Sequence, residues 1–103
     1  MNAVVADRLT ELRALCERHQ ARRLAVFGSA VSGRFDPTAS DLDFVVEFEP
    51  LSPPEHADRY FRLCEDLERL FGRPVDVVEP APIRNPYLLA AISETQVVVY
   101  EAA

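Results

Sequence analysis

The chain has no apolar run near the roughly 20 residues that a bilayer span requires. Its first residues, MNAVVADRLTELRALCERH, lack both the basic start and the continuous apolar stretch of a secretory leader. A membrane protein is therefore not expected, and the cytoplasm is the expected location. Lysine is absent too: all eleven basic residues are arginine, a bias that carries no chemical conclusion. Seventeen acidic residues outweigh them, giving a formal net charge of -6. The densest basic spot, RHQARR at 18–23, reads as a solvated helix end. A long nucleic-acid duplex is not an expected partner, because phosphate neutralisation supplies most of the affinity for one. Cysteine is scarce. Cys16 and Cys64 form neither a CxxC nor a metal-ligand spacing, and both fall on the apolar side of helical segments, so buried free thiols are expected. His19 and His56 stand alone among polar neighbours and read as solvated surface residues.

What is present is a globular balance of 49% apolar and 27% charged residues over 103 positions, enough for one domain covering 1–103. Val5, Leu9, Leu12, Leu15 and Cys16 recur at helical spacing and predict a helix over 3–20. RRLAVFG (22–28) reads as a strand closed by glycine, and a short helical turn is expected from Ser29. DLDFVVEF (41–48) is a second strand. A helix is predicted from Pro54 to Phe71, with Ala57, Tyr60, Phe61, Cys64, Leu67, Leu70 and Phe71 as its apolar stripe and Gly72 as its C-cap. PVDVVEP (74–80) is a strand bounded by prolines, 87–93 a short helix and TQVVVYE (95–101) a last strand. Four strands with interleaved helices predict an α+β fold, α/β-like, in which helices pack against a mixed four-stranded sheet.

The second strand carries the chemistry. Side chains alternate along a strand, so Leu42, Phe44, Val46 and Phe48 form an apolar core face. Asp41, Asp43 and Val45 point the other way. Two carboxylates two positions apart, about 6.5 Å along the strand, repel one another, and a hard divalent cation such as Mg²⁺ removes that cost while leaving positions for phosphate oxygens. Asp76, in VDVV, faces opposite to Val75 and Val77; with its strand beside the Asp41–Asp43 strand it would complete a trio. Glu47 lies on the same face but beyond Val45 and reads as an outlying or edge residue. A lone D-x-D is more often a solvated strand start than a metal site. Here Gly28 and Ser29 change the balance: glycine lets a backbone approach a phosphate closely, and a helix beginning at Ser29 offers unpaired N–H groups. A phosphate cradle followed by a carboxylate pair is equipment for nucleotide chemistry.

Gly28-Ser29, eleven intervening residues and Asp41-Leu42-Asp43 resemble the signature of the DNA polymerase β-type nucleotidyltransferase superfamily. The whole stretch FGSAVSGRFDPTASDLDFVVEF, the long helix after it, the VDVV strand and the closing RNPYLLAAISETQVVVYEA look most like its minimal nucleotidyltransferase branch, abbreviated MNT. The resemblance implies the small nucleotidyltransferase fold, with Asp41, Asp43 and Asp76 as catalytic metal ligands and Gly28 and Ser29 as the phosphate-binding pair. Members usually carry an arginine just before the second glycine of this loop. Here that position is Ser32, and Arg34, just after Gly33, is the nucleotide-binding candidate in its place.

The activity implied is two-metal nucleotidyl transfer from ATP, with two Mg²⁺ ions as cofactors. The chain is too short to hold a large acceptor as well, so a partner is expected to supply it. MNT-like proteins are typically paired with a HEPN-domain RNase toxin that they neutralise as antitoxins, in several systems by adenylylating a tyrosine of the toxin. The resemblance thus implies a protein adenylyltransferase antitoxin. Two other readings stand beside it: an antitoxin that neutralises its partner by binding alone, which the Ser32 departure favours, and nucleotidyl transfer to a small molecule such as an aminoglycoside.

Overall fold

Strands β1 (Ala21–Phe27) and β2 (Leu42–Phe48), the two that the sequence marks most clearly, form the antiparallel centre of the sheet. The computed structural model describes residues 3–32, 41–80 and 85–102. Around these strands the chain adds α1 (Ala3–Ala6), α2 (Leu9–Arg18), α3 (Ser29–Ser32), α4 (Pro53–Phe71), β3 (Val75–Val78), α5 (Pro86–Thr95) and β4 (Val97–Glu101). Among the described residues the sheet has four strands in the order β3-β2-β1-β4. β4 joins β1 antiparallel, and β3 joins β2 parallel. A parallel neighbour demands a crossover, which the 19-residue α4 supplies. The expected mixed sheet with packed helices is what the chain forms.

Local chemistry explains the helix ends. Ser52 caps α4: its hydroxyl accepts from the Glu55 N–H and donates to the Glu55 carboxylate at 2.9 Å, with prolines in the first turn. Gly72, at φ 64°, closes that helix in the left-handed conformation that favours glycine. Asn85 caps α5 by accepting from the N–H groups of Tyr87 and Leu88.

The interior lies mainly on one side of the sheet. Leu24 and Val26 of β1 and Leu42, Phe44 and Val46 of β2 pack with Leu12 and Cys16 of α2 and Leu63 and Leu67 of α4, all fully buried. Burial pushes the Cys16 thiol up to about 12, with the nearby Glu17 adding to it, so this thiol stays protonated and inert. On the other side α5 lays Ile92 over Ala25, Phe27 and Val45.

Several expectations need correction. The first helix is broken at Asp7–Arg8, where the Arg8 N–H reaches back only three residues to Val5, and the shift in phase leaves Leu9 exposed while Val5 and Leu12 stay inside. In α4 the inward stripe runs through Leu63 and Leu67, and Phe61 is 64% exposed. His19 is buried, its Nε2 2.6 Å from the Asp66 carboxylate, and His56 pairs with Glu79 at the same distance. Within RHQARR, Arg22 and Arg23 belong to β1 and engage Glu47 at 3.5 and 3.6 Å, so Glu47 is held in ion pairs along the sheet. No described helix is long and apolar enough to cross a membrane.

Candidate active site

The carboxylates gather at the end of the sheet where β1 finishes and β2 and β3 begin. Phe27, the last residue of β1, faces Asp43 across the antiparallel pair. Asp43 is in turn in register with Asp76 across the parallel pair. Neighbouring strands run about 4.8 Å apart, so two carboxylates on adjacent strands and on one face cannot ignore each other. Asp43 is half-buried and Asp76 exposed, while Asp41 stands exposed just before β2. Burial pushes the Asp43 carboxyl up to about 6, and the charge of Asp76, a hydrogen bond to it, and the charge of Asp41 act in the same direction. The fold thus holds Asp43 where an uncompensated negative charge is disfavoured.

Gly28 shapes the wall beside it. Its φ is 75°, and a Cβ built there would lie 2.7 Å from Asp43 Oδ2. Only a residue without a side chain lets the carboxylate sit against this turn. The Gly28 N–H is already committed, donating to Thr95 Oγ1 at 3.0 Å. Thr95 itself donates to the Ala91 carbonyl at 2.6 Å, so the last turn of α5 pins the end of β1. Ser29 opens α3 directly after it, and the Val31 N–H closes onto the Gly28 carbonyl. Gly28 therefore offers room, and the backbone donors left for an anion are those at the start of α3.

Thr95 escaped the sequence reading. Followed by QVVVY it looks like the first residue of a strand, yet it ends α5. The available signal was the helical run from Pro86, which a polar threonine can continue when its hydroxyl bonds the carbonyl four residues back. Arg34 and Gly33 lie outside the described residues.

A nucleotidyltransferase domain model matches residues 11–99. The chain belongs to that family. It is 33% identical over 85 residues to MJ1379 of Methanocaldococcus jannaschii, a candidate protein adenylyltransferase, covering 82% of this chain and 83% of that one. A solved structure of a candidate minimal nucleotidyltransferase matches with a TM-score of 0.70 and 33% identity, covering 94% of this chain and 95% of the other. The fold is shared as well, at 14% identity and a TM-score of 0.62, with the complex of a tri-AMPylated Shewanella oneidensis HEPN toxin and its MNT antitoxin; that match covers 94% of this chain and 72% of its counterpart.

The donor set of this nucleotidyltransferase suits a divalent cation held jointly with a nucleotide. Asp43 and Asp76 are in register on adjacent strands, where burial and the neighbouring carboxylates disfavour the Asp43 charge, a cost that a divalent cation would offset. Among the described residues no three His, Cys, Asp or Glu side chains converge as a ready-made cage. Asp41 acts on Asp43 through its field but does not close the trio. Mg²⁺ needs no such cage, since it takes one or two carboxylates and completes its shell with water and phosphate oxygens.

Proposed function

We propose that the chain transfers AMP from ATP to a tyrosine hydroxyl of a cytoplasmic HEPN-domain partner and acts as the antitoxin of that pair. The observation that carries the reading is the parallel β2–β3 pairing, which sets Asp76 against Asp43 beside the side-chain-free turn at Gly28. The likeness to candidate protein adenylyltransferases supports the reaction class, and the fold shared with an MNT antitoxin supports the type of partner.

In this reading Asp43 and Asp76, with Asp41 behind them, hold Mg²⁺, whose contribution is to neutralise the triphosphate and make the acceptor hydroxyl more acidic. Ser29 and the start of α3 face the phosphates, with Arg34 as a further contact. The carboxylate pair takes the hydroxyl proton. The tyrosine oxygen bonds to the α-phosphorus, the bond from that phosphorus to the β-phosphate oxygen breaks, and pyrophosphate leaves with the electron pair. Positioning and charge neutralisation supply most of the rate.

The test uses ATP labelled in its adenosine and, as acceptor, a HEPN-domain protein from the same genome. Label is expected on a partner tyrosine with the wild-type chain and Mg²⁺, and at least about a hundredfold less with Asp43→Asn. A wild type that transfers no label, or a variant that transfers as well, overturns the proposal. Toxin neutralisation without label in either protein would point to masking by binding alone.

A further inference from the structure

The two edges of the sheet are finished differently. β3 is a short strand bounded by Pro74 and Pro80, and Tyr60 Oη donates to its Val77 carbonyl at 2.6 Å. The prolines and the committed carbonyl close that edge to a further strand. β4, at the other edge, reads VVVYE, with no proline or glycine, and its Val98 is 44% exposed. The Ala102 N–H donates inward to the Arg22 carbonyl, so by alternation Glu101 turns its own N–H and carbonyl outward. Among the described residues no side chain bonds the β4 backbone from outside. A cavity of about 420 Å³ runs along this edge, lined by Val98 to Ala102 and by Arg13 and Glu17 of α2.

Two features choose the occupant. The first is a bulge. Tyr100 stands opposite Leu24 and Val98 opposite Ala25, so Val99 is one residue too many for β1. A bulge kinks a strand and spoils its fit to a regular neighbour, which is how many edges are kept from pairing. An antiparallel copy of β4 carries the same extra residue at the matching place. With a two-fold axis between Val99 and Tyr100, Val98 of each copy lies opposite Glu101 of the other, and the two irregularities meet.

The second feature is charge. Arg13 and Glu17 are exposed, and neither enters an ion pair among the described residues. Arginine four places before glutamate is the weaker order for a pair within one helix. α2 packs over β1 and β4, and a two-fold axis normal to the sheet lays the second copy's α2 antiparallel beside the first. Arg13 of each copy then faces Glu17 of the other. A net charge of -6 opposes indiscriminate contact between copies, and matched pairs of this kind select one geometry against it.

We infer that the outer edge of β4 pairs antiparallel with β4 of a second copy, joining the two sheets into one and setting reciprocal Arg13–Glu17 pairs across the axis. The carboxylates of β2 and β3 lie toward the far edge of each sheet and stay open, so the pairing stands apart from the chemistry proposed for them. An interface of one short strand and one helix is at the small end of specific contacts, and a dissociation constant of about 1–100 μM is expected.

Sedimentation velocity of the full chain, from about tenfold below to tenfold above that range, is expected to show a monomer–dimer shift. Arg13→Glu and Glu17→Arg each set like charges together and are expected to weaken the dimer at least about tenfold, while the double variant restores it to within about threefold of the wild type. Both positions are exposed, so each variant is expected to melt within about 4 °C of the wild type at concentrations where all are monomers. Hydrogen exchange at the Glu101 amide is expected to slow with concentration in the wild type and not in Arg13→Glu. A chain monomeric throughout, charge reversals without effect, or a double variant no tighter than the single ones overturns the proposal. So does a dimer whose Glu101 amide exchanges as fast as the monomer's, because it is then joined elsewhere. Protection of Glu101 only when a HEPN-domain protein is added would give the edge to that partner and overturn it as well.

Discussion

The two faces of the sheet are built from the same strands and serve opposite ends. Toward α2 and α4, Leu42, Phe44 and Val46 are wholly buried in a continuous apolar layer. One residue out of phase, β2 turns Asp43 and Val45 to the other side, where a smaller cluster under α5 gives way to the carboxylates. That second face is covered enough to raise the Asp43 carboxyl and open enough to leave Asp76 exposed. The difference teaches that this short chain draws its stability from one face and leaves the other partly undressed for chemistry. Breaking the first face carries the largest expected effect: Phe44→Ala removes a fully buried ring that stacks near Phe71, at about 3–5 kcal/mol in chemical denaturation. A loss below about 1 kcal/mol would mean that the layer does not carry the fold.

Next in size is a contrast between two glycines. Gly28 and Gly72 both have positive φ, so alanine at either costs about 1–3 kcal/mol of backbone strain. Only at Gly28 does the new methyl meet anything, the Asp43 carboxylate, while nothing lies within 4 Å at Gly72. Gly28→Ala is thus expected to lower AMP transfer by about a hundredfold or more, and Gly72→Ala to lower melting temperature alone. Equal activities in the two variants, assayed well below their melting points, would show that the space beside Asp43 is dispensable.

The site was legible in the sequence where it depends on alternation, and not where it depends on tertiary pairing. Asp43 against a core of Leu42 and Phe44 follows from the period of a strand, and Gly28 from a strand that stops. That Asp76 meets Asp43 depends on which strand α4 returns beside, which periodicity within β3 does not encode. In α4, Phe61 and Leu63 compete for the interior. Hydrophobicity alone favours the phenylalanine, but the helix's rotation against the sheet decides for the leucine. His19 reads as polar because its partner Asp66 lies 47 positions away.

Thr95 tests whether the site face borrows rigidity from α5. Its hydroxyl holds the Gly28 N–H, and Thr95→Val keeps the shape while deleting that acceptor. The expected cost is about 1–2 kcal/mol, the usual penalty for stranding a part-buried donor. Transfer is expected to fall with it, because the turn beside Asp43 is then no longer pinned. Hydrogen exchange at the Gly28 amide is the direct measurement: exchange as slow as in the wild type would show that Thr95 contributes nothing there.

The smallest expected effect has the opposite sign. The Asp43 carboxyl is raised from 3.8 to about 6 in the fold, so its ionised form is the less favoured one there. Below pH 4 both folded and unfolded chains carry it protonated, and it costs nothing. Between pH 4 and 6 the unfolded chain gives up the proton more readily, stability falls, and above pH 6 the whole penalty is in place. Solvent still reaches this half-buried group, so the penalty is about 1 kcal/mol. Asp43→Asn removes it. Without metal, the variant is expected to melt about 4–8 °C above the wild type at pH 7.5, with the gap closing by pH 4. Mg²⁺ is expected to stabilise the wild type and not the variant, narrowing the same gap from the other direction. A variant less stable than the wild type at pH 7.5 would mean that Asp43 is held for the fold, and the division between the two faces would fail at the residue on which it most depends.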